Sequence, residues 1–390
     1  MIFCLTNFVF FATVSAIPSG RNEIVFPSVE TSRSEVKTIK FTAFDQDVEL
    51  KLISAGEILG KGFAMEGVDV ENLRRKIYRD SANGAALLLD EDGPITIEGI
   101  VNSKLRIKPY TSGRIIKNGV IAHQIVELID DKKSYINDIF IRKDIKRETE
   151  NMAGMGRDGE CIIVEYYVIT ERVFTNRFES DKALTEYVTV MFTGVQNLID
   201  TLELDIEIRL LGVTAFDEET EPWYVEESVI SGYANVLNPY KLIKFMESYY
   251  CRHQTGLAKD ADIIMLITAR RMGFPRTDGS VVVNIAGIAN SAAVCMPCYK
   301  VGISMDDSEY NERVDTVAHE SAHLLGSPHD GSNQVSLNGS PGSANCPASD
   351  GYIMGDRNDQ NRYKFSECTK KCVKYLLSLP SASCVYEECS

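Results

Sequence analysis

Eleven residues hold the chemistry this sequence is best equipped to do. Residues 313–331 read R-V-D-T-V-A-H-E-S-A-H-L-L-G-S-P-H-D-G, and His319, Glu320, His323, Gly326 and His329 fall in them as H-E-x-x-H-x-x-G-x-x-H. Residues four apart share a helical face, so His319 and His323 present both imidazoles to one point. Gly326 lets the backbone leave the helix in a conformation that residues with a Cβ resist. Pro328 cannot continue the helix, which sends the chain away and lets His329 return to the same point. Three neutral imidazoles fill three corners of a tetrahedral zinc and leave the fourth for water. Glu320, next to His319, stands where it can take a proton from that water. The chain has 5 histidines among 390 residues and three of them lie in this window, which makes chance a poor explanation. His123 and His253 read as structural or surface residues.

The surrounding elements alternate. Cys161–Ile169 is rich in β-branched and aromatic residues and predicts a strand. Leu184–Leu202 carries apolar residues at helical spacing, and Tyr240–Tyr250 can form a second helix. Leu204–Val213, Ala261–Thr268 and Ser280–Ala286 predict further strands. Strand and helix in alternation predict an α/β layer with a mostly parallel sheet. Residues 17–147 differ. Short β-like runs at Ile95–Val101, Leu105–Pro109 and His123–Leu128, the first preceded by the turn signal Asp92-Gly93-Pro94, predict a small β-rich domain with no catalytic constellation.

Charge and cysteine divide the chain at the same place. The net charge of −15 is carried by residues after 147, whereas 17–147 is close to neutral, and no cysteine lies between Cys4 and Cys161. The acidity argues against nucleic-acid partners, because phosphate binding needs a basic surface. Ile2–Val14 is apolar and uncharged, and Val14-Ser15-Ala16 offers a signal-peptidase site, so 1–16 reads as a signal peptide too short for a permanent anchor. A secreted chain without a membrane anchor, carrying disulfides, follows. Nine cysteines lie at or beyond Cys161, an odd number, so one is free, bridges another chain or is modified. The expected boundaries are a signal peptide at 1–16, a pro-domain at 17–147, a linker at 148–160, a catalytic domain at 161–367 and a short cysteine-containing tail at 368–390. Lys146-Arg147 is the expected processing point, with Asp144 a departure from furin-like sites.

The extended motif resembles that of the metzincin zinc metalloproteases, which also carry a methionine-bearing turn beneath the metal. Gly351-Tyr-Ile-Met354-Gly355 supplies such a turn. Within the metzincins the chain resembles the reprolysin (adamalysin-like) branch. His329-Asp330 matches its H-D pair, Phe365-Ser-Glu-Cys368 its F-S-x-C segment, and Ser280–Cys295 its edge strand and following cysteine. Tyr110–Lys132 is similar to the pro-segments of secreted tick salivary metalloproteases. The resemblance implies an α/β fold: a metzincin catalytic domain with a twisted mixed sheet, an active-site helix carrying HExxH and a Met-turn, preceded by a small β-rich pro-domain. It implies His319, His323 and His329 as ligands of one zinc and Glu320 as general base, supported by Met354, Asp330 and Gly326. It implies disulfides Cys295–Cys384 and Cys346–Cys368 and leaves Cys161, Cys251, Cys298, Cys372 and Cys389 unassigned. The family's calcium site would fall on Glu165 and Asp260 or Asp262, where the spacing departs from the family pattern and plain surface acidity is the competing reading.

The expectation is therefore a secreted zinc endopeptidase made as a zymogen. Its substrates would be extracellular proteins, of the matrix or clotting kind by resemblance, lying extended along an edge strand at 280–290. The pro-segment has no cysteine, so a zinc-bound thiol is unavailable before residue 161, and a carboxylate or steric cover is expected to hold latency, with Cys161 as the rival. Asn338-Gly-Ser340 is the single sequon, in a loop-like stretch that suits glycosylation. The alternative is a non-enzymatic secreted binding protein on the same scaffold. Its mark would be loss of Glu320 or of a ligand, and neither is lost. Oligomeric state is not legible.

Overall fold

Valine, isoleucine and tyrosine fill the run after Cys161, and the computed structural model of the chain makes it the middle of an eight-stranded sheet. The structure describes residues 19–111, 115–117, 120–128, 139–140 and 160–389. The expected signal peptide, Lys146-Arg147 and nearly all of the expected linker lie outside the described residues.

In chain order, the elements that build and position the site are β1 (Leu59–Ala64), β2 (Ile139–Phe140), β3 (Glu160–Thr170), α1 (Asp181–Ile199), β4 (Ile206–Ala215), α2 (Pro239–Arg252), β5 (Ile263–Thr268), β6 (Val281–Ile285), β7 (Gly287–Asn290), β8 (Val301–Met305), α3 (Val314–Leu324), α4 (Glu367–Leu377) and β9 (Tyr386–Glu388). The sheet runs β2-β7-β8-β5-β3-β4-β1, with β9 alongside the start of β3. Its neighbours are parallel except for β7 against β8 and β9 against β3. All of β5 is buried, as a central strand covered on both faces must be. Ile263, Met265 and Ile267 face the core that holds α1 and α3, and Ile264 and Leu266 face a second core under α2. That alternation is the two-residue period of a strand between two layers.

Residues 19–128 contribute a nine-stranded antiparallel sheet with its own core. It is not closed off from the rest. Ala85, Leu87 and Leu89 point into its private core, while Ala86, Leu88 and Ile100 join the core around α1. Helix α1 therefore has a sheet on either side, and its residues are almost all buried. Gly194 permits the approach, since a Cβ there would lie 2.7 Å from Ile100 Cδ1. Strand β1, from the same N-terminal piece, pairs parallel with β4 and forms the outer strand of the other sheet.

Four disulfides link Cys161 to Cys389, Cys251 to Cys298, Cys295 to Cys384 and Cys346 to Cys368. Cys372 is the buried free thiol among the described residues. Residues 368–389, read from the sequence as a tail, are built into the fold. Helix α4 buries Cys372, Val373, Leu376 and Leu377, and β9 extends the sheet. The amphipathic spacing of α4 is the physical reason: an apolar helical stripe has to be covered. No helix among the described residues is long and apolar enough to cross a membrane.

Candidate active site

Every residue of α3 is buried, the polar ones included. The helix ends where the sequence requires it to. Leu325 and Gly326 donate back to Ser321 and His323, Gly326 takes φ +97°, and Pro328 follows. A Cβ at Gly326 would also press on Leu376 Cβ at 3.1 Å, so α4 packs close behind the turn.

His319 Nδ1 donates to the Ile353 carbonyl and His323 Nδ1 to the Ser327 carbonyl, each at 2.8 Å. A carbonyl only accepts, so both rings carry their proton on Nδ1 and expose a lone pair on Nε2. His319 Nε2 lies 3.1 Å and His323 Nε2 3.2 Å from His329 Nε2. Three nitrogens about 2.0–2.1 Å from one tetrahedral zinc are roughly 3.3–3.4 Å apart, so the spacing fits. A cation between them would take up the lone pair that each neutral ring can offer at this range. Backbone carbonyls fixing the outer ring nitrogens are the usual support of such ligands.

Asp330 donates its N–H to the Met354 carbonyl at 2.8 Å, and its Oδ1 accepts from Ser366 Oγ at 2.7 Å. Ser366 also caps α4 by accepting from Thr369 N. Burial pushes the Asp330 carboxyl up to about 6, against the pull of the Ser366 hydroxyl. Met354 is buried in the turn that contains the Ile353 carbonyl. That carbonyl accepts from Arg357 Nε as well, and the Arg357 guanidinium reaches Asp315 in the first turn of α3 at 3.4 Å. The two side chains are 4% and 3% exposed. Sequence reasoning missed this tie between turn and helix. Asp315 is one helical turn from His319, but nothing local marks Arg357 as its partner.

The expected edge strand at 280–290 is two strands. Strand β6 pairs with Arg271–Pro275 in a separate four-stranded sheet, and only β7 belongs to the sheet over α3. The chain crosses between sheets at Ala286: β6 pairs with Arg271–Pro275 and β7 with β8, while Ile285 and Ile288 are both buried in the second core and Ala289 in the first. Along the outer side of β7, Ile139 and Phe140 pair with Ala289 and Asn290. Glu320 is fully buried against Gly287 of β7.

Of the calcium candidates, Asp260 is exposed and Asp262 is buried. Asp262 Oδ2 accepts from Glu165 N at 2.9 Å, beside the Cys295–Cys384 disulfide. Burial, with the charges of Glu165 and Glu387 nearby, pushes the Asp262 carboxyl up to about 8, although Lys300 opposes. The remaining histidines stand apart from the triad. His123 bonds Ile97 N and the Ile121 carbonyl inside the N-terminal sheet, and His253 stacks on Tyr249.

The family model of Reprolysin_5, metallo-peptidase family M12, matches residues 163–366. The venom metalloproteinase antarease TserMP_A of Tityus serrulatus is 68% identical over the whole of both chains, and an antarease-like venom metalloproteinase of Tityus trivittatus equally so. The venom metalloproteinase BumaMPs1 of Olivierus martensii is 37% identical over 97% of this chain and 96% of its own. These are venom proteins, and they carry the assignment without the tick salivary subgroup. With the family model spanning more than half the chain and relatives aligned along all of it, the chain belongs to the reprolysin-type M12 family and is a zinc metalloendopeptidase of the metzincin fold.

Proposed function

We propose that this chain is a secreted endopeptidase, made as a zymogen, in which His319, His323 and His329 hold zinc and Glu320 is the general base for cutting extracellular proteins. What carries the reading is the approach of the His319 and His323 Nε2 atoms to His329 Nε2 at 3.1 and 3.2 Å. Zinc, when bound, supplies Lewis acidity that polarises a peptide carbonyl and lowers the pKa of water. Glu320 takes the proton from the attacking water on its carboxylate and passes it to the leaving amine nitrogen. His319 and His323 remain neutral donors, their rings held by the Ile353 and Ser327 carbonyls. The substrate backbone lies extended along β7 and pairs with it. Relatives described as venom metalloproteinases support secretion into venom, and matrix or clotting proteins are the substrate class by family resemblance.

Latency without a thiol is supported by two features. Ile139 and Phe140 already pair along β7, on the side that substrate would use. Cys161, the rival thiol, is bonded to Cys389. A calcium ion at Asp262 and Glu165 belongs to the same proposal, since a divalent cation would relieve the crowding of carboxylates there. So does a glycan on Asn338, which is exposed.

The test is cleavage of casein or gelatin by the processed chain, with and without a zinc chelator. Cleavage should vanish with chelator and return with added zinc. A processed, zinc-loaded chain that cuts neither protein nor any peptide in a mixed-sequence library would overturn the proposal and favour a binding role.

A further inference from the structure

We infer that Gly287 is a positioning residue for the peptidase reaction: the missing side chain at this one place on β7 is what lets the Glu320 carboxylate stand against the substrate strand. The inference rests on the reading of Glu320 as general base. Strand residues alternate faces, and on β7 Gly287 and Ala289 face α3 while Ile288 faces the core under α2. The α3 face thus carries only small residues.

A Cβ on Gly287 would lie 2.6 Å from Glu320 Cδ and 2.7 Å from Cγ, with Oε1 nearer still. The three nearest atoms to that Cβ all belong to Glu320. Nothing else there asks for glycine, because Gly287 has no left-handed φ. Space for one carboxylate is the reason left. The conflict reaches in to Cγ, so turning the carboxyl group about its last bond does not relieve it. Glu320 is fully buried, so any shift it makes is against packed neighbours or into the space in front of the three histidines. The strand cannot lift away either. Gly287 is in register with Ser304 of β8, and just beyond β7 Ala292 N donates to the His323 carbonyl at 2.8 Å and Val294 N to the Leu324 carbonyl at 3.2 Å. Those bonds pin the segment to the end of α3 that carries the ligands. A side chain at 287 must therefore displace the carboxylate.

The experiment is a double-mutant cycle of Gly287→Ala with Glu320→Ala and Glu320→Asp in the full chain. The first readout is thermal unfolding of the chain held metal-free with chelator. Gly287→Ala should lower Tm by several degrees when Glu320 is present and leave it unchanged in the Glu320→Ala chain. The second is turnover by the processed, zinc-loaded chain. Gly287→Ala should lower kcat on the order of 10²-fold, with KM and zinc content near those of the parent. Gly287→Ala/Glu320→Asp should still be slower than Glu320→Asp alone, because aspartate keeps the Cγ atom that lies 2.7 Å from the new methyl group. Equal loss of Tm in both backgrounds would mean the strand itself needs glycine, and the inference would be wrong. Parental kcat in a folded, zinc-loaded Gly287→Ala chain would sink it too. Should Gly287→Ala fail to fold, recovery of folding in Gly287→Ala/Glu320→Ala supports the same contact, and failure of both overturns it. Full turnover by Glu320→Ala would instead overturn the general-base reading, and the Tm coupling, which needs no catalysis, tells that case apart.

Discussion

Glu320 is fully buried next to His319 in α3, and a carboxylate proposed to accept and return a proton needs such a fixed place with little competing water. Replacing it by alanine should leave zinc bound, since in this reading the three imidazoles alone bind the metal, and lower turnover by roughly 10²–10⁴-fold. Metal analysis and turnover on one preparation check this; loss of zinc together with activity would assign Glu320 to the ligand set instead. The triad was legible in the sequence because helical geometry forces residues 319 and 323 onto one face and because glycine and proline at 326 and 328 are turn chemistry. Gly287 was not legible as part of the site. Its reason is an approach by a side chain far along the chain, and short-range pattern holds no trace of that.

Between elements, the support of the site is electrostatic as well as steric. Arg357 joins the methionine turn to α3 through Ile353 and Asp315 with both charges buried. Arg357→Ala strands the Asp315 carboxylate in the interior and should destabilise the fold by about 3–5 kcal/mol, read from urea unfolding. A second charged cluster lies at the ends of β3 and β5, buried at Arg270, Glu171 and Glu221 and exposed at Glu218 and Glu226. Arg270 is shared by Glu171, Glu221 and Glu226, while Arg172 faces Glu218, Glu221 and Glu226. Burial, with Glu171 nearby, pushes the Glu221 carboxyl up to about 7, against the pull of Arg172 N–H and Arg270. A carboxyl whose pKa is raised by folding favours the folded state below its unfolded value, near 4.3, and loses that contribution as pH rises through about 7. Glu221→Gln should flatten that decline, and unfolding free energies for the two chains between pH 4 and 8 will show whether the difference follows this curve.

Over the whole molecule, the N-terminal piece and the catalytic piece share a core. Leu59, Phe63, Ala86, Leu88 and Ile100 are buried with residues of α1 and β4. Arg106, 3% exposed, donates to the Tyr310 and Asn311 carbonyls just before α3, and Asn197 on α1 donates to the Ala85 carbonyl. Burial on this scale is not undone by cutting one peptide bond. If the chain is cut at Arg147 as proposed, the two pieces should still elute together in gel filtration and separate only in denaturant, which would make cleavage and release distinct steps. Elution of the N-terminal piece by itself in native buffer would contradict this.

The sequence alone determined what depends on near neighbours: the spacing of His319, His323 and His329, the helix that carries the first two and its stop, and the alternation of strand and helix that makes an α/β layer. Those follow from fixed helical and strand periods, which act over a few residues. Tertiary structure decided the rest. It split the run at 280–290 between two sheets, because its halves pair with different strands, β6 with Arg271–Pro275 and β7 with β8. It turned the cysteine-rich end into α4, whose apolar stripe is covered, and β9, which pairs with β3 beside the Cys161–Cys389 disulfide. It laid the N-terminal piece, which keeps a sheet and core of its own, on α1 and along β4 so that the two pieces share a second core. Composition records which residues prefer burial, but the partner each is buried against is chosen only when the whole chain closes on itself.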